Sequence, residues 1–235
     1  MADEWGGVPR RTVKSYVIRA GRSTQSERRN YSELCHVWCL PFEQKPLCFA
    51  DVFGNAHPVV VEIGFGMGQA TAQIAQEHPD INYLAIDVHV PGIGKLLGEI
   101  QRRGLSNLFI IEGDALDVLE AMIPAASVAG FHVFFPDPWP KKKHHKRRLV
   151  RRPNTDLIAK CLEEGGYVYF ATDCSEYATF ALEELSATEG LLNTAEGFCP
   201  RKSWRPTTKF EQKALDAGRK IYELYFVKHT SQIEP

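Results

Sequence analysis

The sequence predicts an α/β protein whose mostly parallel sheet is covered by helices on both faces. From residue 58 onward, strand-like and helix-like segments alternate along the chain, which is the pattern of successive βαβ units. The first strand runs into a glycine-rich turn at residues 64–68. Acidic residues also end the five predicted parallel strands, and sheets of this kind bind ligands at that edge.

Six predicted strands support this fold class. The stretch "PVVVEIG" (58–64) is rich in β-branched residues and is bounded by Pro58 and Gly64, which is typical of a buried strand. The other predicted strands cover residues 81–89, 107–115, 130–138, 165–173 and 220–229.

Helices are predicted between these strands. Residues 68–79 have apolar side chains at helical spacing and end at a proline, and residues 92–104 are closed by Gly104. Further helices are predicted around 116–122 and over 153–164, 175–187 and 209–218.

The first 50 residues do not follow the alternation. We predict an N-terminal basic arm and a helix over about 23–40 that packs on the core, with residues 51–235 forming the main domain. For residues 1–10, a disordered tail is an equal alternative.

Composition restricts the class of protein. A chain of 235 residues that is 44% hydrophobic can bury one core. No stretch approaches the roughly 18 apolar residues of a membrane span, and "MADEWGGVPR" lacks the apolar segment of a secretory signal. We therefore expect a cytoplasmic monomer or homodimer with six reduced cysteines. We expect no metal, because the spacing of Cys35, His36, Cys39 and Cys48 fits no common structural zinc site.

Positive charge is concentrated in two segments. Residues 10–29 and 141–152 together carry 15 basic residues and one acidic residue, so the rest of a chain with net charge −1 carries −15. A solvated face is the ordinary explanation of a charge run. Two such runs on an otherwise acidic chain favour a polyanionic partner such as a nucleic acid.

The turn after the first strand indicates which ligand the sheet holds. The sequence "EIGFGMG" places Gly64, Gly66 and Gly68 in a G-x-G-x-G pattern, and residue 69 is Gln, so the dinucleotide pattern is absent. Glu62 stands just before the turn, where it would repel a pyrophosphate. S-adenosyl-L-methionine carries a sulfonium and an ammonium group and no phosphate, so it fits better.

Acids at the next strand ends extend this prediction. Asp87 ends the second strand and can accept hydrogen bonds from ribose hydroxyls. Asp114 ends the third strand and can accept one from the adenine amino group. Asp137 and Asp173 end the fourth and fifth strands. Asp is common in turns, but five such acids beside one glycine turn are hard to attribute to chance.

The stretch "FFPDPWPKKKHHKRR" (134–148) places one carboxylate, Asp137, between prolines and beside the densest positive charge. Pro136 and Pro138 restrict the backbone around it. We predict that Asp137 faces a base while the basic run binds phosphates. Trp139 either stacks on a nucleobase or packs under the loop.

Together, "EIGFGMG", "FFPDPWPKKKHHKRR", "ATD" and "RPTTKFEQKALDAG" resemble the bacterial tRNA (guanine-N7)-methyltransferase family, from about residue 12 to residue 228. The resemblance implies a Rossmann-like class I methyltransferase fold with a seven-stranded sheet whose last strand is antiparallel. It also implies transfer of a methyl group from S-adenosyl-L-methionine to N7 of the variable-loop guanine, position 46, of tRNA.

The resemblance also implies roles for individual residues, with Asp137 as the catalytic acid. The cofactor ligands it implies are Glu62, Asp87, Asp114 and Asp137, together with the glycines of the turn. The substrate site it implies consists of Lys141, Asp173, Thr208, Lys209, Phe210 and Glu211. The RNA-contacting segment it implies consists of Lys143, His144, His145, Lys146, Arg147 and Arg148. Many members have Glu where this chain has Asp87, and "PKKKHH" is more lysine-rich than the family segment.

Three other functions remain as alternatives at this point. A methyltransferase acting on a protein or a small molecule would not need the basic runs. A nucleotide-dependent dehydrogenase would not place Glu62 before the turn and would have a third glycine at position 69. A non-enzymatic RNA-binding module would not need the full set of acids at the strand ends.

Overall fold

A computed structural model describes Lys14, Tyr16 and residues 23–229. The predicted alternation of strands and helices is confirmed in this part of the chain. Most of the predicted N-terminal arm lies outside the described residues.

The described elements follow one another in a regular order. The strands are β1 (Cys39–Leu40), β2 (Val59–Ile63), β3 (Asn82–Asp87), β4 (Leu108–Glu112), β5 (Val128–Phe134), β6 (Leu162–Thr172), β7 (Leu191–Asn193) and β8 (Tyr222–Lys228). The helices are α1 (Gln25–Trp38), α2 (Phe49–Phe53), α3 (Gln69–Glu77), α4 (Val90–Arg103), α5 (Ala115–Ala121), α6 (Asn154–Cys161), α7 (Ser175–Ser186) and α8 (Lys209–Asp216), and a 3-10 helix spans Lys142–Arg147.

All the described strands form one sheet in the order β1-β4-β3-β2-β5-β6-β8-β7. The strands from β1 to β6 pair in parallel, whereas β8 is antiparallel to both β6 and β7. The mostly parallel sheet with an antiparallel last strand is thus confirmed. The two-residue β1 adds an eighth strand at the edge of the seven expected ones.

Each face of the sheet has its own hydrophobic core, because side chains alternate between the faces along every strand. Val61, Ile63 and Phe131 pack against α5, α6 and α7. Val60 and Ala85 pack on the opposite face, against α3 and α4, with α1 outside them. The sheet is therefore covered on both sides and leaves its carboxyl edge open for a ligand.

The N-terminal helix is closely attached to the main domain. A capping box formed by Thr24 and Glu27 begins α1. Asn30 Nδ2 donates to the carbonyl of Gly94 at 3.1 Å, and a Cβ on Gly94 or Gly98 would overlap α1. The division into residues 1–50 and 51–235 stays a prediction, and α2 runs across that boundary.

Several predicted boundaries are wrong. The strand predicted over residues 130–138 spans Val128–Phe134, so Asp137 follows the strand instead of ending it. The helix predicted to reach residue 164 ends at Cys161, because Leu162 already pairs with Val128 as the first residue of β6. No described helix is both long and apolar enough to cross a membrane. The six cysteines are free thiols, and no group of metal-binding side chains occurs among the described residues.

Candidate active site and nucleic-acid interface

The glycine turn joins β2 to α3 through backbone conformations that only glycine adopts without strain. Gly64, Gly66 and Gly68 have φ values of 79°, 58° and 67°. Gly92, at the start of α4, approaches so closely that a Cβ there would overlap the carbonyl oxygen of Gly66. The turn is thus held between two helix N-termini.

Asp87 holds this turn from the end of β3. Its Oδ2 accepts a hydrogen bond from the backbone N–H of Gly66 at 3.0 Å. Its Oδ1 accepts from the N–H groups of Val88 at 2.7 Å and His89 at 3.0 Å. Burial raises the pKa of this carboxyl group, and the three N–H donors oppose that rise. A carboxylate offers about four acceptor positions, so one position on Oδ2 remains for a hydrogen-bond donor of a ligand.

Glu62 is the most unusual acid of the site. Its side chain is 4% exposed, and Oε2 has no hydrogen-bond partner among the described residues. Burial is the main cause that raises the pKa of Glu62 to about 7; the nearby Thr71 hydroxyl opposes the rise and the charge of Asp87 adds to it. A buried carboxylate oxygen without a partner is costly unless a ligand satisfies it. A cationic group fits this position and an anionic phosphate does not.

Asp114 follows β4 and begins α5. It caps that helix by accepting from the N–H of Leu116 at 3.1 Å. The preceding residue, Gly113, donates its N–H to the carbonyl of Asp87 at 3.1 Å, which fixes Asp114 next to the Asp87 strand end. The structure therefore brings Glu62, the glycine turn, Asp87 and Asp114 to one edge of the sheet.

The Pro-Asp-Pro turn lies at the same edge, at the end of β5. Phe135 and Trp139, on either side of it, have φ values of 53° and 48°. Such positive values are uncommon for residues other than glycine and are found where the surrounding structure holds the backbone in place. The N–H of Phe135 donates to the carbonyl of Ala171 in β6 at 2.8 Å. Asp137 is thus carried by a turn that is fixed at both ends.

Arg148 holds the far end of this turn, and its predicted contact with RNA is wrong for this structure. The side chain is fully buried. Its Nε donates to the carbonyl of Pro138 at 2.9 Å, and Nη2 pairs with Glu176 of α7 at 2.9 Å. The guanidinium also lies over the rings of Tyr177 and Phe180. A side chain enclosed on all sides positions the loop and has no surface left for a phosphate.

The rest of the basic run forms the 3-10 helix beside the turn. Lys141, Lys142, Lys143 and Lys146 are exposed, and His144, His145 and Arg147 are half-buried. Trp139 packs under this helix, with the guanidinium of Arg147 4.8 Å from the ring centroid and His144 in an edge-on contact at 5.8 Å. Trp139 thus packs against the 3-10 helix, and its stacking on a nucleobase stays a prediction.

The "TKFE" stretch at the start of α8 has two different sides. Lys209 is exposed and Phe210 is 67% exposed. Thr208 and Glu211 form the capping box of the helix. Glu211 is 1% exposed and pairs with Arg205 and Arg201. The prediction that Glu211 lines the substrate site is therefore corrected, because its carboxylate is enclosed by arginines.

Arg205 is a residue that sequence reasoning missed. It is fully buried, makes two hydrogen bonds to Glu211 and pairs with Glu223 at 2.7 Å. Its guanidinium lies 5.9 Å from the ring of Phe135, next to the Pro-Asp-Pro turn. The only sequence signal was its position in "SWRPTTKFE". Asp173, at the end of β6, pairs with Arg219 at 2.9 Å on the partly exposed surface.

This fold, with Glu62, the glycine turn, Asp87 and Asp114 at one edge of the sheet (the cofactor edge), is that of a class I methyltransferase that uses S-adenosyl-L-methionine. Solved structures share the fold, including the 16S rRNA methyltransferase KamB, with a TM-score of 0.57 and 15% identity over 77% of this chain and 93% of that one. A 16S rRNA (adenine(1408)-N(1))-methyltransferase from Catenulisporales acidiphilia, solved with S-adenosylmethionine, has a TM-score of 0.56 and 13% identity over 80% and 92%.

The family is narrower than this class. The profile of a family described as "Putative methyltransferase" matches residues 56–224. A protein from Nitrosospira multiformis named tRNA (guanine-N(7)-)-methyltransferase is 45% identical over 220 residues, which cover 94% of this chain and 96% of that protein. A protein of the same name from Treponema pallidum is also 45% identical, over 93% and 96%. The chain belongs to this methyltransferase family.

Proposed function

We propose that this protein transfers a methyl group from S-adenosyl-L-methionine to N7 of the variable-loop guanine of tRNA, forming 7-methylguanosine. The observation that supports the proposal is the fixed Pro-Asp-Pro turn, which holds Asp137 after β5 and directly before the basic 3-10 helix. Relatives that match over nearly the whole chain are named tRNA (guanine-N(7)-)-methyltransferase.

The cofactor side of the site is formed by buried acids and close backbone. The unpartnered oxygen of Glu62 suits the positively charged part of the cofactor, and Asp87 and Asp114 suit the ribose hydroxyls and the adenine amino group. The positive-φ glycines let the backbone approach the ligand closely. When bound, S-adenosyl-L-methionine supplies an electrophilic methyl group on a sulfonium centre.

Asp137 acts on the base. Guanine N7 already carries an in-plane lone pair, so no residue has to remove a proton before the attack. The purine gains positive charge as N7 is methylated, and a fixed carboxylate beside it stabilises that charge by about 3–4 kcal/mol. Holding the reacting groups in line contributes up to roughly 7–11 kcal/mol. The rigid turn around Asp137 serves both effects.

The basic segment is the reason for proposing a nucleic acid as the substrate. Lys141, Lys142 and Lys143 are exposed directly after the catalytic turn, so phosphates bound there lie beside the reacting base. In folded tRNA this base takes part in tertiary structure, and partly extruding it costs on the order of a few kcal/mol. Phosphate contacts offset that cost. We place the reaction in the cytoplasm, with the enzyme as a monomer or a homodimer.

One experiment tests the whole proposal. The protein is incubated with S-adenosyl-L-methionine labelled in the methyl group and with unmodified bulk tRNA, and the labelled nucleotide is mapped. We expect 7-methylguanosine in the variable loop. Label on protein, or only at another RNA position, would reject the proposal. Turnover of a small molecule in the absence of RNA would support the small-molecule alternative instead.

A further inference from the structure

A basic cavity lies beside the 3-10 helix. Its volume is about 450 Å³, which is within the usual range of ligand pockets. The residues that line it come from the 3-10 helix, the turn before α6 and the outer face of α7: His145, Lys146, Arg151, Arg152, Phe180 and Glu184.

The acids around this cavity are already neutralised. Glu184 accepts from the backbone N–H of Arg152, and its carboxylate lies 3.5 Å from Nε of the same arginine. Glu176, which lies on α7 before the residues that line the cavity, pairs with the buried Arg148. Lys146 and Arg151 have no ion pair within the described part of the chain. The cavity therefore keeps an excess of positive charge.

We propose that this cavity binds a phosphate group of the tRNA backbone. The inference rests on the proposed function, and it adds a phosphate site built by Arg151 and Arg152 to the exposed lysines of the 3-10 helix. Arginine is suited to this ligand, because its planar guanidinium matches the geometry of a phosphate with two parallel hydrogen bonds. Lys146, which also lines the cavity, adds a point charge.

The cavity is rigidly connected to the catalytic turn. Arg148 contributes no charge to the cavity, but it joins Pro138 to α7, which forms the cavity wall. The ring of Phe180 contacts Arg148 on one side and lines the cavity on the other. A phosphate bound here would thus sit at a fixed place relative to Asp137. Contacts of this kind set the position of a nucleic acid on a protein.

The test compares the salt dependence of tRNA binding among variants of the full chain. The variants are Arg151→Gln and the double change Lys146→Gln with Arg151→Gln, and the matched control is Lys45→Gln with Lys160→Gln, two exposed lysines outside the basic run. For each lost phosphate contact, the slope of log affinity against log salt should become shallower by about 0.7–0.9. We expect this for the cavity variants and no change for the control.

Two further measurements separate the possible outcomes. For Arg151→Gln, the affinity for S-adenosyl-L-methionine should stay within about twofold of that of the unmodified protein, because Arg151 lies in the cavity and not beside the glycine turn. A slope equal to that of the control would overturn the inference. A different result would be that inorganic phosphate raises the thermal stability of the unmodified protein, at constant ionic strength, while the salt slope of tRNA binding is the same for the cavity variants and the unmodified protein. That result would show a site for a free anion and would also overturn the inference. If the unmodified protein fails to methylate tRNA at all, the proposed function itself is wrong.

Discussion

We propose different roles for Asp137 and Glu62, two carboxylates at one edge of the sheet. Asp137 lies on a fixed turn beside exposed lysines and has to carry charge next to the base. Glu62 is buried and lacks a partner for one oxygen. The first is expected to act on the transition state, and the second on the cofactor before any reaction occurs.

The change Asp137→Asn tests the proposed action of Asp137 on the transition state. It keeps the shape of the side chain and its suitability for a turn but removes the negative charge. We expect the single-turnover rate to fall about a hundredfold to a thousandfold at saturating cofactor, with little change in tRNA affinity. Methylation at a near-normal rate would show that Asp137 only shapes the turn.

The titration of Glu62 tests its proposed role in binding the cofactor. Its pKa is about 7 in the ligand-free fold, against an ordinary value of 4.5. The folded protein therefore holds a proton that the unfolded chain releases, and this group contributes stability at low pH. That contribution is lost as the pH rises from about 4.5 to 7, and its upper limit is on the order of 3 kcal/mol.

Binding of a cationic cofactor should reverse this effect, because a nearby positive charge favours the ionised carboxylate. We expect cofactor affinity to rise as the pH increases towards about 7, with release of a proton from Glu62. Calorimetry in two buffers of different ionisation enthalpy measures that release, and Glu62→Gln is the control that should abolish it. Binding without proton release near pH 6 would contradict the placement of Glu62.

Individual side chains mark the limit of what the sequence predicts at this scale. Arg147 and Arg148 are adjacent and chemically identical, yet Arg147 stacks on Trp139 and Arg148 is fully buried. The difference arises because the 3-10 helix ends between them and the chain then turns into the core. The spacing of residues in the sequence does not predict that turn. Glu211 and Arg205 are likewise six residues apart in the sequence, and only tertiary packing makes them a buried pair.

Elements with strong local signals were predictable. The β-branched run of β2, the positive-φ glycines after it and the glycine that closes α4 each have a local physical cause. The strands β1 and β7 have two and three residues and exist only through pairing with β4 and β8. Sequence periodicity carries almost no information over such short lengths.

The helix α4 provides a test at this scale, because two of its glycines face different parts of the molecule. A Cβ at Gly92 would overlap the glycine turn, and one at Gly94 would overlap the backbone of α1. We expect Gly94→Ala to lower the free energy of unfolding by roughly 1–3 kcal/mol with little effect on cofactor binding. Gly92→Ala should weaken cofactor binding by a similar free energy.

Denaturant unfolding and cofactor calorimetry measure the two effects, and Lys95→Ala, at a partly exposed position of the same helix, is the control. Alanine favours helix by up to about 1 kcal/mol over glycine, so any loss is a net effect of overlap. If both glycine variants behave like the control, the close contacts of α4 with α1 and with the glycine turn do not limit stability or cofactor binding.

At the scale of the whole molecule, the net charge of −1 conceals two opposed regions. The cofactor edge is built from acids with buried or half-buried side chains, and the neighbouring 3-10 helix and cavity carry exposed cations. In the proposed function, the small cationic ligand and the polyanionic one are recognised by separate parts of one surface. The run at 141–152 and the strand-end acids are both visible in the sequence, so their places at this edge of the sheet could be predicted from it.

The separation predicts two different responses to salt. Binding of tRNA releases counterions, so its affinity should fall steeply as potassium chloride is raised, by about 0.7–0.9 logarithmic units per tenfold change in salt for each phosphate contact. Binding of S-adenosyl-L-methionine by buried acids should change little, because enclosed charges are only weakly screened. Fluorescence anisotropy for tRNA and calorimetry for the cofactor, over the same salt series, measure both. A flat response for tRNA would mean that the basic run is only a solvated face, and an equally steep one for the cofactor would place its binding acids at the open surface.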